Sequence, residues 1–335
     1  MNYTLHSNFS EINALAWNAL LKESVTDSPF LRHEYQTAWW THRGGGEWQN
    51  AQLILISASE GDQLVGIAPL FLAEYDGQRA LLLNGSIEIS DYLDVIVRKE
   101  DHAPFLSGLF DFLAAQLADN WHGLDWYNLP DSSPTLGVIK EESAKRKWTH
   151  LEEMYRPTPR IALNVSFDDY LARIDKKQRH EIRRKMRRAE ESGRVRWFIS
   201  EMQNPDAEID AFIKLMEDDE NKAKFLTDPM RAQMRAAIHA AHQGGWLWLA
   251  FLEVDGQRAA AALNFDHNNK LWGYNAGVDR TFMELSPGWV LLSYILQWCC
   301  DNHRAEFDFM RGDEEYKYRF GAVNQFVMRA KVVKG

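Results

Sequence analysis

The sequence predicts an α/β (α+β) protein of two tandem units, each a mixed, mostly antiparallel sheet flanked by helices. Three observations carry this. The chain has 335 residues, too many for one ordinary core. Hydrophobic residues make up 45% and charged residues 26%, as in globular chains. One order of helical and strand patterns also runs through the chain twice.

In the first half, Glu11 to Leu21 and Leu31 to Trp40 carry apolar residues at helical spacing. Strand patterns follow in AQLILIS, QLVGIAPLFLAEY, QRALLLNG and DYLDVIV. A helix over Ala103 to Asn120 and a strand over Leu124 to Leu129 complete the set. The second half repeats the order. Ile209 to Met216 and Arg231 to His242 are helical, and WLWLAFLEV, RAAAALNFD and LWGYNAGVD are strands. Pro287 and Gly288 then open a helix to Cys300, and Ala305 to Met310 is a strand. Phe30-Leu31 recurs as Phe225-Leu226 and Gly61 as Gly256, each 195 positions on. Asp125 has a counterpart in Asp308 at a slightly different offset. The proline-containing connector Arg156 to Pro159 divides the units into 1–156 and 157–335.

The N-terminus MNYTLHSNFS has no basic region leading an apolar stretch, and no apolar run approaches the ~18 residues that span a bilayer. Cys299 and Cys300 are adjacent in an apolar helical pattern and read as core thiols. The expectation is a cytoplasmic protein, with peripheral membrane contact left open. The net charge of −10 argues against a general nucleic-acid coat. Residues 176–188 (KKQRHEIRRKMRR) nevertheless hold eight Lys/Arg and one Glu, a net of +7 that leaves −17 elsewhere.

That basic segment reads as a helix capped by Ser166, with Asp169 at the capping-box position, Val165 and Tyr170 as a staple, and Gly193 as its end. Phe167, Tyr170, Leu171, Ile174, Ile182 and Met186 form its apolar stripe. Arg183, Arg184 and Arg187 then form either a solvated face or a phosphate-binding one. In the tail, FDFMRGDEEYKYRFGA packs charge around Gly312. Arg311 and Arg319 are candidate anion binders, Asp313 or Glu314 a candidate base for an incoming amine, and Tyr316 or Tyr318 a candidate proton donor to a leaving group. The alternative is a salt-bridged loop. Asn275 and Gly277 lie on a strand rich in small residues, and Ser286 and Gly288 open a helix whose free N–H groups suit a phosphate or carboxylate. Asp91 and Asp94 read as strand carboxylates that line a cleft or cap structure. His239 and His242 lack a third ligand at metal-binding spacing, so no metal is assigned.

RGDEEYKYRFG, preceded by SPGWVLLSYIL and the KKQRHEIRRKMRR helix, resembles the CelD/FemAB-like (BioF2-like) branch of the GNAT acetyltransferase superfamily. The opening SPFLRHEYQTAWW is similar to that family's N-terminal signature. The resemblance covers nearly the whole chain and implies two GNAT units. By motif it makes Arg311, Asp313, Glu314, Tyr316, Lys317 and Arg319 the site candidates. Glu315 stands where proline is common in the motif. The Arg/Gln-x-x-Gly-x-Gly/Ala loop with which ordinary GNAT enzymes cradle pyrophosphate is missing.

Three functions compete. The first is N-acylation of a small-molecule amine from a thioester donor, acyl-CoA or an acyl carrier protein, as in envelope lipid or polysaccharide synthesis, with no permanently bound cofactor. In it the backbone N–H groups of Asn275 to Gly277 would hold the oxyanion. The second is FemX-like aminoacyl transfer from tRNA. The third is a non-catalytic ligand-binding module.

Overall fold

The computed structural model describes residues 1–75, 77–117 and 120–335. They form two compact units, Met1–Pro157 with Phe326–Gly335, and Thr158–Gln325. The first unit contains β1 (Asn2–His6), α1 (Ala14–Lys22), α2 (His33–Arg43), β2 (Gln49–Glu60), β3 (Gln63–Tyr75), β4 (Gln78–Leu83), β5 (Ile96–Val97), α3 (His102–Leu117), β6 (Gly123–Pro130) and α4 (Thr135–Lys145). β7 (Thr149–Ala162) runs across the boundary. The second unit contains α5 (Phe167–Arg173), α6 (Lys176–Glu191), β8 (Val195–Ile199), α7 (Pro205–Glu217), α8 (Glu220–Phe225), α9 (Asp228–Gln243), β9 (Leu247–Val254), β10 (Gln257–His267), β11 (Lys270–Val278), α10 (Pro287–Asp301), β12 (Glu306–Asp308) and α11 (Glu315–Arg319). β13 (Val323–Val333) ends the chain.

The strands of the two units follow one pattern. In the first unit, β1, β2, β3 and β4 are antiparallel neighbours, β6 returns parallel to β4 after α3, and β13 lies antiparallel to β6. In the second, β8, β9, β10 and β11 are antiparallel, β12 returns parallel to β11 after α10, and the end of β7 lies antiparallel to β12. The signpost glycines sit in equivalent hairpin turns, Gly61 at φ 58° and Gly256 at φ 77°, where only glycine is unstrained. The sequence reading placed 157–335 in one unit, whereas the last ten residues, Phe326–Gly335, group with the first.

The second unit's sheet is buried on both faces, and strand alternation sorts its side chains. Trp248, Ala250, Leu252 and Val254 of β9 join Ile182, Met186, Val290, Leu291 and Ile295 of α6 and α10. Leu249 and Phe251 face Ile209, Phe212, Met234 and Ile238 of α7 and α9. Cys299 and Cys300 are free thiols in the first of these cores, and burial raises both above the usual thiol range.

Two local expectations are corrected. The basic segment is not one helix with its leader: Ser166 caps only α5, and Asp175 starts α6 by accepting from Lys177 N and Gln178 N. The chain is extended at Ile174 and Asp175 (ψ 150° and 138°), which ends the first helix. Asp91 and Asp94 lie in a loop and not on a strand, because Tyr92 takes φ 52° and breaks the alternation. After Gly312 the tail turns into the short helix α11. The helix expected to reach Asn120 is described only to Leu117, and residues 118 and 119 lie outside the described residues.

Candidate active site

The second unit gathers three of its segments at the end of β11. The pairing of β10 with β11 slips between Leu263, opposite Asn275, and Asn264, opposite Gly273, so Tyr274 is one residue too many on β11. Such a bulge bends the strand and re-aims its side chains. Just beyond it, α7 crosses the strand so closely that a Cβ at Gly277 would lie 2.5 Å from Leu215 C and 2.6 Å from Met216 N. Gly277 therefore serves helix–strand contact.

The short α8 supplies a residue that the sequence reading did not single out. Asp219 caps this helix, accepting from Asn221 N and Lys222 N, and pairs with Arg280 at 3.2 Å. Leu226 is buried just after it. Between these anchors, the Lys222 ammonium donates to Asn275 Oδ1 at 3.1 Å and to Ala276 O at 2.5 Å. Asn275 Oδ1 also accepts from Ala276 N at 2.9 Å. That backbone N–H, expected to meet an oxyanion, is thus already engaged. Burial lowers the Lys222 pKa, and the negative charges of Asp219 and Glu314 oppose that shift in part.

Glu314 belongs to the tail loop, which a buried lysine organises. Lys317 is 2% exposed, and its ammonium donates to the carbonyls of Met310 (3.3 Å), Arg311 (3.0 Å) and Gly312 (3.2 Å) while pairing with Glu314 at 2.9 Å. Gly312, at φ 119°, leaves room where a Cβ would strike the Glu314 carboxylate. Asp313 is exposed, and among the described residues none bonds to its carboxylate. Tyr316 is 44% exposed, yet desolvation and then the charge of Glu314 push its hydroxyl up to about 12. Arg319 pairs with Glu315 at 2.7 Å, Tyr318 bonds Asn324 Oδ1 at 2.9 Å, and Arg311 is half-buried.

The anion-binding candidates sit on α6 and at the start of α10. Lys185 of α6 lies 4.3 Å over the Trp289 ring, so the two helices meet there. Ser286 stands before α10 at φ 52° with no side-chain capping bond, and a Cβ at Gly288 would press on Val278. Arg183 pairs with Asp168 (2.9 Å), Arg184 with Glu181 (2.8 Å) and Arg187 with Glu191 (3.8 Å), all on the surface. Part of the positive charge counted in this segment is therefore balanced locally.

The remaining two candidates belong to the other unit. Asp94 is fully buried and accepts from Thr26 Oγ1 (2.7 Å), Ser133 Oγ (2.5 Å), Thr135 Oγ1 (2.6 Å) and Val95 N (2.8 Å). Burial raises its pKa against these bonds, and burial lowers that of nearby His102. Asp94 ties a loop to the start of α4, and Asp91 is buried beside it in sequence. His239 bonds Asp206 at 3.1 Å. Among the described residues no helix is long and apolar enough to cross a membrane.

The second unit thus carries the GNAT order of three antiparallel strands, a helix and a parallel strand, with a charged cluster at its bulged strand. Residues 176–318 match the acetyltransferase (GNAT) domain family. No curated protein matches the chain. Among solved structures, the chain is similar to FemX at 12% identity and TM-score 0.69, over 98% of this chain and 97% of that one. It is similar to L-PGS from Bacillus licheniformis at 10% identity and TM-score 0.61, over 96% and 92%. It is also similar to the C-terminal domain of a putative lysylphosphatidylglycerol synthetase from Agrobacterium fabrum, at 10% identity and TM-score 0.58, over 98% and 92%. At these identities the likeness is one of fold. The fold is GNAT-like, and the match over residues 176–318 supports an acyltransferase type of function.

Proposed function

We propose that this chain is an acyltransferase that moves an acyl group from a thioester donor, acyl-CoA or an acyl carrier protein, to an amine. One observation carries the reading. Lys222 bonds Asn275 at the bulged end of β11, Glu314 pairs with Lys317 in the tail loop and its charge acts on Lys222, and all four lie within the acetyltransferase match.

A protonated amine has a pKa near ~10 and is no nucleophile, so a base must take its proton. Asp313, exposed beside the paired Glu314, fills that role. Attack by the amine forms the carbon–nitrogen bond, and collapse breaks the carbon–sulfur bond. The ammonium proton passes through the Asp313 carboxylate to water before attack, and the second amine proton, shed as the carbon–nitrogen bond forms, goes to the same carboxylate. The Tyr316 hydroxyl, pushed up to about 12, keeps its proton at neutral pH and gives it to the departing thiolate. It regains one from Asp313. Lys317 fixes the loop that carries both groups, and Arg311 and Arg319 orient an anionic part of a substrate.

A second reading, aminoacyl transfer from tRNA, is favoured by the connection from β11 to α10. Thr281 N donates to Asp279 Oδ1, Phe282 N to Asp279 O and Ser286 N to Met283 O, and Pro287 has no N–H. Three N–H groups of that connection are thus engaged within the chain. In that reading α6 meets tRNA phosphates, and the full-length likeness to FemX agrees with it.

The test measures amide formation by the full chain with labelled acetyl-CoA or with charged tRNA, against a panel of amines. Turnover from acetyl-CoA without tRNA supports the first reading. Turnover from charged tRNA alone supports the second. Amide from neither donor overturns both.

A further inference from the structure

We propose that Lys222 is a catalytic residue: its ammonium receives the donor's carbonyl oxygen as the amine attacks. This rests on the acyl-transfer reading above and adds to it a residue that the tail motif does not contain. A lysine ammonium has three hydrogens to donate. Asn275 Oδ1 and Ala276 O take two of them. Among the described residues, no acceptor takes the third.

The geometry fixes the cation without saturating it. Asp219 holds α8 in place, and the two oxygens of β11 hold the side chain. Lys317 is the contrast: three carbonyls and Glu314 consume it entirely. Lys222 stands at the bulge, where β11 is bent, and it is half-buried, so a substrate oxygen can reach it. When the amine lone pair attacks, the carbonyl π electrons move onto oxygen. A preplaced ammonium stabilises that charge with little reorganisation. Collapse returns the electrons to carbon and expels the thiolate, or the ribose oxygen if the donor is charged tRNA. The amine proton leaves by way of Asp313 as above, so Lys222 keeps its own proton throughout.

The groups facing the ammonium are Asp219 on its own helix cap, itself paired with Arg280 of the following turn, and Glu314 of the tail loop. Both acids hold the proton on. Burial opposes them and prevails, so the amine deprotonates below the usual lysine range. The alkaline limb of the rate profile therefore reports Lys222.

The test compares wild type with Lys222→Met and Lys222→Arg, using acetyl-CoA and charged tRNA as donors. Lys222→Met lowers kcat by ~10²- to 10³-fold, the scale of losing one oxyanion donor, with KM for the donor much less affected. Lys222→Arg restores part of the rate and moves the alkaline limb upward, because a guanidinium does not deprotonate. A lysine that merely staples α8 to β11 would instead lower the melting temperature and leave kcat and the alkaline limb unmoved, which overturns the proposal. If wild type itself transfers nothing, the acyl-transfer reading fails, and the residue is judged by binding. With lysines labelled with ¹³C at Cε, the resonance missing in Lys222→Met is followed during titration with acetate, a carboxylate probe of oxyanion charge. A saturable shift supports the oxyanion site, and an unmoved resonance overturns it.

Discussion

Replacing Lys317 with methionine removes a cation while nearly keeping its volume, and the structure sets the cost. The ammonium closes a ring of three carbonyls, of which that of Met310 is buried and those of Arg311 and Gly312 are partly open to water. A hydrogen bond to a charged group is worth about 1.5–3 kcal/mol, and a buried acceptor left unmatched loses most of it. The two open carbonyls regain water, and the surface pair with Glu314 adds little. The net is about 3 kcal/mol, the lower end of what breaking a buried pair costs. For a unit of this size that lowers the melting temperature by about 6–12 °C. Differential scanning calorimetry reads the shift, and hydrogen exchange at residues 310–313 reads its location. Lys317→Arg does not rescue, because a planar fork cannot be encircled by three converging carbonyls. A Lys317→Met protein that melts within ~2 °C of wild type, with residues 310–313 still protected, refutes the reasoning.

Three further outcomes follow. Asp313→Asn cuts turnover by ~10²-fold or more with an unchanged melting temperature, as steady-state kinetics checks, whereas near-normal turnover returns the tail motif to a structural role. Reversing charge at Arg183, Arg184 and Arg187 weakens donor binding and flattens its salt dependence, read by titration at several ionic strengths. Glu142 is buried, which raises its pKa, but bonds from Lys145, Arg146 and Ser107 outweigh burial and leave it below the ordinary 4.5. A depressed carboxylate stabilises above its unfolded value and loses that contribution as pH falls through its folded value, so Glu142→Gln flattens the acid limb of the stability profile below pH 4.5, measured by urea unfolding.

What the sequence made legible follows from local physics. Hairpin glycines, strand alternation and the helix opened by Pro287 are set by residues close together in the chain, and they make the repeated run of antiparallel strands and helix in each unit legible. What it hid depends on distance. Nothing local says that residues 326–335 pair with β6, more than 190 positions earlier, since an apolar alternating strand fits any open edge. Asp175 is one more acid before a basic run in composition, and its carboxylate is what restarts the helix. Lys222 sat in EDDENKAKF, which has the composition of a solvated helix face. Only the bulge in β11, itself a matter of register with β10, gives that lysine its partners.

The distribution of partners, and not the density of charge, therefore separates the cations of the second unit. The segment 176–188 has the highest count, yet Arg183, Arg184 and Arg187 each meet a carboxylate, and Lys185 lies on an indole ring. Their positive field is partly cancelled before any ligand arrives, so they suit diffuse contact with a polyanion better than recognition of a single oxygen. Lys317 is held tightly and has no hydrogen left to offer, which makes it a fastener for the loop that presents Asp313. Lys222 is intermediate. It is bound firmly enough to be fixed in place and incompletely enough to remain a donor. A transfer reaction needs a cation of that kind where charge develops, because one that must first break a bond, or first find its position, gives up part of the stabilisation it supplies. In the proposed reaction the tail motif supplies the base and the rigid loop, and the capped turn at Asp219 supplies the cation.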